Sequence, residues 1–233
     1  MPRPASSAIG LALTLSFALV NPASGLTIAD LSNQDAVQGL KDALVQGADR
    51  AVSQLGTANG FLGNPKVKIP LPASLQKAER LMRMVGMGGQ ADELVTSMNR
   101  AAEMAVTEAK PLLVDAVKQM SVQDAKGILT GGDDAATQYF RRSTSAALTQ
   151  KFLPIVKEMT ARVNLAKLYN QYAGQAAALG VIEAKDANLD NYVTQKALDG
   201  LFLMIAEQER AIRKNPIGSA STMVQKVFGA IGK

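Results

Sequence analysis

The sequence predicts an all-α fold: a single-domain bundle of about eight helices around a central C-terminal helix, with one short extended segment near residues 66–72. Three observations carry this. Apolar residues recur at three- and four-residue spacing through most of the chain. Aromatics are 4% of the residues and Trp is absent, so Ala, Leu, Val and ten Met must fill the core, a mix that favours helix over sheet. Only "NPKVKIPLP", Asn64–Pro72, reads plainly as extended backbone. At 233 residues the chain can bury one sizeable core, and no linker is long enough to separate a second domain.

The first residues read as a leader rather than as part of the fold. Met1-Pro2-Arg3 is positive, and Ala8 to Val20 is apolar but too short to span a bilayer unaided. "NPASG" follows, with Ala23 and Gly25 at the small-residue positions of a cleavage site. Residues 1–25 are therefore expected to be a secretory signal peptide and 26–233 a single helical domain without a transmembrane segment. An uncleaved anchor is the other reading of the same residues. The expected location is outside the cytoplasm, periplasmic after cleavage near Gly25. No Cys follows the apolar run, so a lipoprotein anchor has no attachment atom.

Ser32-Asn33-Gln34-Asp35 has capping-box spacing, and Val37, Leu40, Leu44, Ala48, Val52 and Leu55 continue a helix that Gly56 closes. Gly39, Ala43 and Gly47 fall four apart, a small-residue stripe that another helix could approach. In the extended stretch Val67, Ile69 and Leu71 alternate with Lys66, Lys68, Pro70 and Pro72, the period of a strand. Pro70 and Pro72 lack N–H groups, so the segment pairs on one side at most or lies across helices. Val181-Ile182 is the best candidate partner. The segment is read as a strap fixing the first helix relative to the second; a peptide- or ligand-facing edge is the alternative.

Ser74 can cap a second helix carrying Leu75, Ala78, Leu81, Met82 and Val85, ended by Gly86, Gly88 and Gly89. Leu94, Met98, Ala101 and Ala105 mark a third, which Pro111 kinks or restarts before Leu113, Ala116, Val117 and Met120. Ser121 to Asp124 is a second capping box, opening a short helix that stops at "TGGDD". Asp133 or Asp134 begins the next, with Tyr139 and Phe140. Ser143 or Thr144 starts another through Leu148, Phe152, Ile155, Val156 and Met159, bent at Pro154. Asn164 caps one carrying Leu168, Tyr172 and Ala176 to Gly180. After the polar "VIEAKDANLD" comes the longest helix, Asn191 to about Lys214, ended by Pro216. Its "LFLMIA", Leu201 to Ala206, is apolar on every face and should be buried all round. Met223, Val224, Val227 and Phe228 suggest a short terminal helix. "AVQGL" (Ala36–Leu40) and "ALDGL" (Ala197–Leu201) echo one another, as two helices packing through their glycines would.

Whole classes of chemistry lack their residues. With no His and no Cys, catalytic triads, thiol nucleophiles and the usual zinc sites cannot be built. No phosphate loop is present, and "TGGDD" does not fit a dinucleotide fingerprint, so no metal and no cofactor is expected. The net charge of +5 is scattered, with Arg141-Arg142 and Arg213-Lys214 the adjacent basic pairs, which argues against nucleic acid. Carboxylates remain. Glu207 and Glu209 follow the apolar turn, where a half-buried Glu could act as a general acid. The structural reading pairs Glu207 with Arg210 and Glu209 with Arg213 as exposed ion pairs.

The stretches "GFLGNPKVKIPLPASLQKAERLMRMVGMG", "SMNRAAEMAVTEAKPLLVDAVKQM", "DAKGILTGGDDAATQYFRR" and "YVTQKALDGLFLMIAEQERAIRKNP" resemble the bacterial family catalogued as domain of unknown function 4197. The likeness runs from about Leu31 to Phe228, and the turn "GMGGQAD" departs from it toward a less polar sequence. It implies an exported helical domain with no assigned activity and no site residues. The leading functional reading is a non-catalytic binding or scaffold protein of the cell envelope, its partner an envelope protein. A carrier of a small apolar ligand and a carboxylate-dependent hydrolase are the alternatives. The candidate partner surface is Gly131, Gly132, Asp133, Tyr139, Arg141 and Arg142, because Tyr and Arg are frequent binding anchors. Phe140 stands among them, and four consecutive helical positions cannot share one face.

Overall fold

The protein, seen in a computed structural model that describes residues 33–86, 88–180, 183 and 187–215, forms eight α-helices and no strand among those residues. They are α1 (Asn33–Leu55), α2 (Ala73–Met84), α3 (Gly88–Val106), α4 (Ala109–Gln119), α5 (Val122–Thr130), α6 (Ala135–Thr160), α7 (Asn164–Ala178) and α8 (Leu189–Lys214). The expected signal peptide, the Ser32 cap, Val181-Ile182 and the helix suggested at Met223–Phe228 lie outside the described residues.

α6 and α8, 26 residues each, run antiparallel: Glu209 of α8 meets Thr137 of α6, and Asp190 of α8 meets Thr160. Around this pair pack α1 and α3, with α4 and α5 against α1 and α6, and α2 and α7 against α3. α8 is the central helix that its apolar sequence predicts. Leu201, Phe202, Met204, Ile205 and Ala206 are buried, but Leu203 is 38% exposed, so one narrow stripe of α8 reaches solvent. α8 approaches α1 along the predicted small-residue stripe: a Cβ on Gly47 would sit 3.6 Å from the Gln208 Cβ. The glycine of "ALDGL" serves another contact. A Cβ on Gly200 would lie 2.7 Å from the fully buried Phe61 ring, so this glycine makes room for a loop side chain.

Several boundaries differ from expectation for local reasons. α6 is continuous through Ser143 and Thr144. Their hydroxyls, and that of Ser145, donate to the Tyr139, Phe140 and Arg141 carbonyls within the helix instead of capping a new one. Ser74 does not cap α2; it sits inside the helix and shares a hydrogen bond with the Tyr169 hydroxyl at 3.1 Å, while Pro72 occupies the N-cap. Pro111 lies in the first turn of α4, where a missing N–H is tolerated, so it restarts the helix rather than bending it. α7 buries Ala166, Tyr169 and Ala173, not Leu168 and Tyr172, which are exposed. The bond to Ser74, and those from Asn170 to the start of α8, set that rotation.

The extended segment is a strap over α3 and α8 rather than between the first two helices. Asn99 of α3, fully buried, replaces a partner strand: it accepts from the Ile69 N–H at 2.8 Å and donates to the Ile69 carbonyl at 2.9 Å. The Tyr192 hydroxyl of α8 donates to the Pro70 carbonyl at 3.0 Å, and the Gln76 amide to that of Leu71 at 2.7 Å. Val67, Ile69 and Leu71 are buried as the alternation predicts. Pro72 is buried too, against the alternation, because the chain turns there into α2.

Ile69→Ala is expected to destabilise the protein by about 2–4 kcal/mol, through lost burial and the cavity left behind. Lys68→Ala, at an exposed position of the same strap, should leave the urea midpoint nearly unchanged. A thermally silent Ile69→Ala would show that the strap does not anchor the fold.

Candidate functional site

The buried carboxylates hold the frame together. Glu209 accepts from the Ala136 and Thr137 N–H groups at 3.0 and 2.9 Å and from the Thr137 hydroxyl at 2.9 Å. It thereby caps the N-terminus of α6, for which Asp134 supplies no side-chain bond. Arg213 pairs with Glu209 at 2.9 Å and also donates to the Ile128 carbonyl near the end of α5. The predicted pairing of Glu209 with Arg213 is present but buried, not exposed: the side chains are 5% and 11% accessible. Glu103 accepts from the Phe61 and Leu62 N–H groups, both at 3.1 Å, and from Arg100 at 2.5 Å. Asp190 accepts from the Thr160 hydroxyl at 2.5 Å and the Asn170 amide at 3.2 Å. Glu207 takes Lys66 at 2.7 Å as its partner in place of the predicted Arg210. Among the described residues, no cluster of three acidic side chains is placed to hold a metal ion.

The sequence-predicted surface residues separate. Gly131, Gly132 and Asp133 form an exposed turn between α5 and α6. Gly131 is required there by packing, since a Cβ would come within 2.7 Å of both the Gly127 carbonyl oxygen and the Ala135 Cβ. Tyr139 is not on the surface. It is buried, and its hydroxyl donates to the Ala116 carbonyl at 2.7 Å, satisfying the C-terminal end of α4. Burial, with the Asp124 charge adding to it, pushes its phenol above the usual range. Phe140 is core as well. Arg142 is exposed. Arg141 lies over the Phe202 ring, 4.6 Å from its centroid, and 3.6 Å from Asp199.

Asp199 joins Arg141 to a feature that the sequence reading missed. Tyr192, Lys196, Asp199 and Leu203 recur at helical spacing on the stripe of α8 that reaches solvent. At its N-terminal half this stripe borders a groove of about 430 Å³, whose other wall is Leu71, Ala73 and Gln76. The Lys196 ammonium stands 5.9 Å from the Tyr192 ring centroid, and among the described residues it has no carboxylate partner. The signal was present in the Tyr192–Lys196–Asp199 spacing, but periodicity alone cannot say which side of a long helix is left uncovered. A different cavity, enclosed by α1, α5, α6 and α8 and lined by Leu40, Leu44, Phe140 and Ile212, is apolar and measures about 20 Å³. That is room for a single water, not for a lipid chain.

A family model described as "Protein of unknown function (DUF4197)" matches residues 30–229. No curated protein and no solved structure matches the chain.

Tyr139→Phe should lower stability at pH 7 by about 1–2 kcal/mol, because the Ala116 carbonyl loses its donor. The folded protein holds this phenol neutral above its ordinary value of 10.0, so that contribution is complete below pH 10 and is lost as pH rises through the folded value. Urea midpoints measured from pH 7 to 11 should therefore fall less steeply above pH 10 in the Phe variant than in the wild type. Parallel curves would place the hydroxyl in solvent.

Proposed function

The chain belongs to the DUF4197 family, which carries no assigned activity, and we infer that this member is a non-catalytic binding or scaffold protein of the cell envelope. One observation carries the reading. The buried acids Glu103, Asp190 and Glu209 are all committed to backbone groups, hydroxyls, amides or guanidinium partners, while Arg141, Lys196 and Tyr192 stand together at an open surface. A general acid or base needs a carboxylate within reach of substrate and free to exchange its proton. Glu207, the earlier candidate, is held by Lys66. The cavity between α1 and α8, with room for one water, is too small to hold an apolar ligand.

The proposed partner surface begins at the Gly131–Asp133 turn, passes along α6 through Arg141 and Arg142, and crosses to Tyr192, Lys196 and Asp199 on α8. Tyr and Arg at a partly open site are favourable anchors because they supply contact area and directional hydrogen bonds together. Export is part of the same reading. It rests on the basic start, the apolar run of Ala8–Val20 and the small residues before Leu26. No helix among the described residues is long and apolar enough to cross a membrane.

The mature protein isolated from cells should have an intact mass beginning at Leu26; a mass that retains Met1 would end the export argument. Crosslinking in cells should capture an envelope partner, and Arg141→Ala combined with Lys196→Ala should lose that capture while the melting temperature changes little. Unchanged capture, or loss of folding in place of loss of the partner, would return both residues to the scaffold.

A further inference from the structure

The last turn of α6, the first half of α7 and the first turn of α8 meet around a pocket of about 330 Å³. Helical spacing gathers its polar groups. On α6, Lys157 and Thr160 are three residues apart and share a face; on α7, Lys167, Asn170 and Gln171 do so at three and four. Asp190 of α8 lies at the floor, 7% exposed, whereas both lysines are exposed at the rim. The pocket thus has one carboxylate at depth and two ammonium groups above it.

Asp190 differs from the other buried acids on the bundle. Glu103 has Arg100 and Glu209 has Arg213 within ion-pair distance; Asp190 has no cation there among the described residues. The start of α8 lends it partial positive charge but no full countercharge. Its two oxygens accept one bond each, from the Thr160 hydroxyl and the Asn170 amide. The Leu189 N–H donates to the Asn170 side-chain oxygen at 2.7 Å and so fixes which way that amide points. An ionised carboxylate can accept about four hydrogen bonds, which leaves Asp190 lone pairs for a further donor. Lys157 and Lys167 have no carboxylate partner among the described residues, α7 carries no acid, and the neighbouring Glu158 is held by Arg162 at 2.7 Å.

This layout of charge selects the ligand. A plain anion drawn in by the lysines would meet the Asp190 carboxylate, and a plain cation drawn by Asp190 would have to pass the lysines. A molecule with an ammonium and a carboxylate suits both, and the flexible four-carbon lysine stems can fold over its anionic end. Ligand pockets run from about 300 to 1,000 Å³, so this one takes a small molecule. We propose that the pocket binds a free α-amino acid, its ammonium on Asp190 and its carboxylate on Lys157 and Lys167. Asp190 and Tyr192, two positions apart, face different sides of α8, so the pocket is separate from the partner surface and does not depend on it.

The test is isothermal titration calorimetry of the full chain with each of the common α-amino acids in turn. At least one should bind, at a single site. Its N-acetyl form, which lacks the ammonium, and its carboxamide form, which lacks the carboxylate, should each bind at least tenfold more weakly. Lys157→Ala with Lys167→Ala should weaken binding at least tenfold with an unchanged melting temperature, because both side chains are exposed. Asp190→Asn should abolish binding; where that variant does not fold, the N-acetyl form reads the same contact in the wild type. No binding by any amino acid, undiminished binding of either blocked form, or undiminished binding in the lysine variant would overturn the proposal. So would inorganic phosphate binding as tightly as the amino acid, because the pocket would then be a plain anion site.

Discussion

The ends of helices are the constraint around which this protein is organised, and Glu209 is the clearest case. Every helix leaves its first N–H groups and last carbonyls without partners inside the helix. α6 begins directly after a Gly-Gly-Asp-Asp turn whose Asp134 makes no capping bond, so its N-terminus is closed from outside by a carboxylate on α8. A negative charge there also meets the positive end of the helix dipole. Arg213, one turn on, neutralises that carboxylate and reaches the Ile128 carbonyl of α5, where a positive charge is favourable. One ion pair thus fixes three helices at a single point.

The same device recurs through the bundle. Tyr139 closes the end of α4 at the Ala116 carbonyl, and the Lys41 ammonium reaches the Lys118 carbonyl at 3.3 Å. Ser97 of α3 donates to the Met159 carbonyl in the last turn of α6. Asp190 binds the Thr160 hydroxyl at the far end of the α6–α8 pair. Asn99 does for the strap what these groups do for helices, and Glu103 does it for the Phe61–Leu62 loop. Because these caps come from other helices, secondary structure here is tied to tertiary contact. Thr194 is the exception, a buried hydroxyl with no partner among the described residues.

This arrangement bears on function. Polar groups drawn into the interior are engaged in bracing. The surface is less committed. The α8 stripe beside the strap carries Lys196, which has no carboxylate partner among the described residues, and the end of α2 displays Leu81, Met84 and Val85.

The sequence by itself determined the helical class, the local cap at Ser121 and the burial of Val67, Ile69 and Leu71. Each of these depends on neighbours a few residues apart: apolar period, a hydroxyl three residues from a carboxylate, alternation along an extended backbone. It also decided which chemistries are missing, since composition alone removes His and Cys. Only the tertiary structure decided that Ser143 and Thr144 sit within one long α6, that α7 buries Tyr169 instead of Tyr172, and that Tyr139 is a cap and not an anchor. In each case the deciding hydrogen-bond geometry was invisible in the local pattern. For Tyr139 and Tyr169 the partner is a group on another helix; for the hydroxyls of α6 it is a carbonyl of the preceding turn, which exists only once the helix has formed. Spacing along a chain reports the period of a helix. It does not report which helix arrives to close its end.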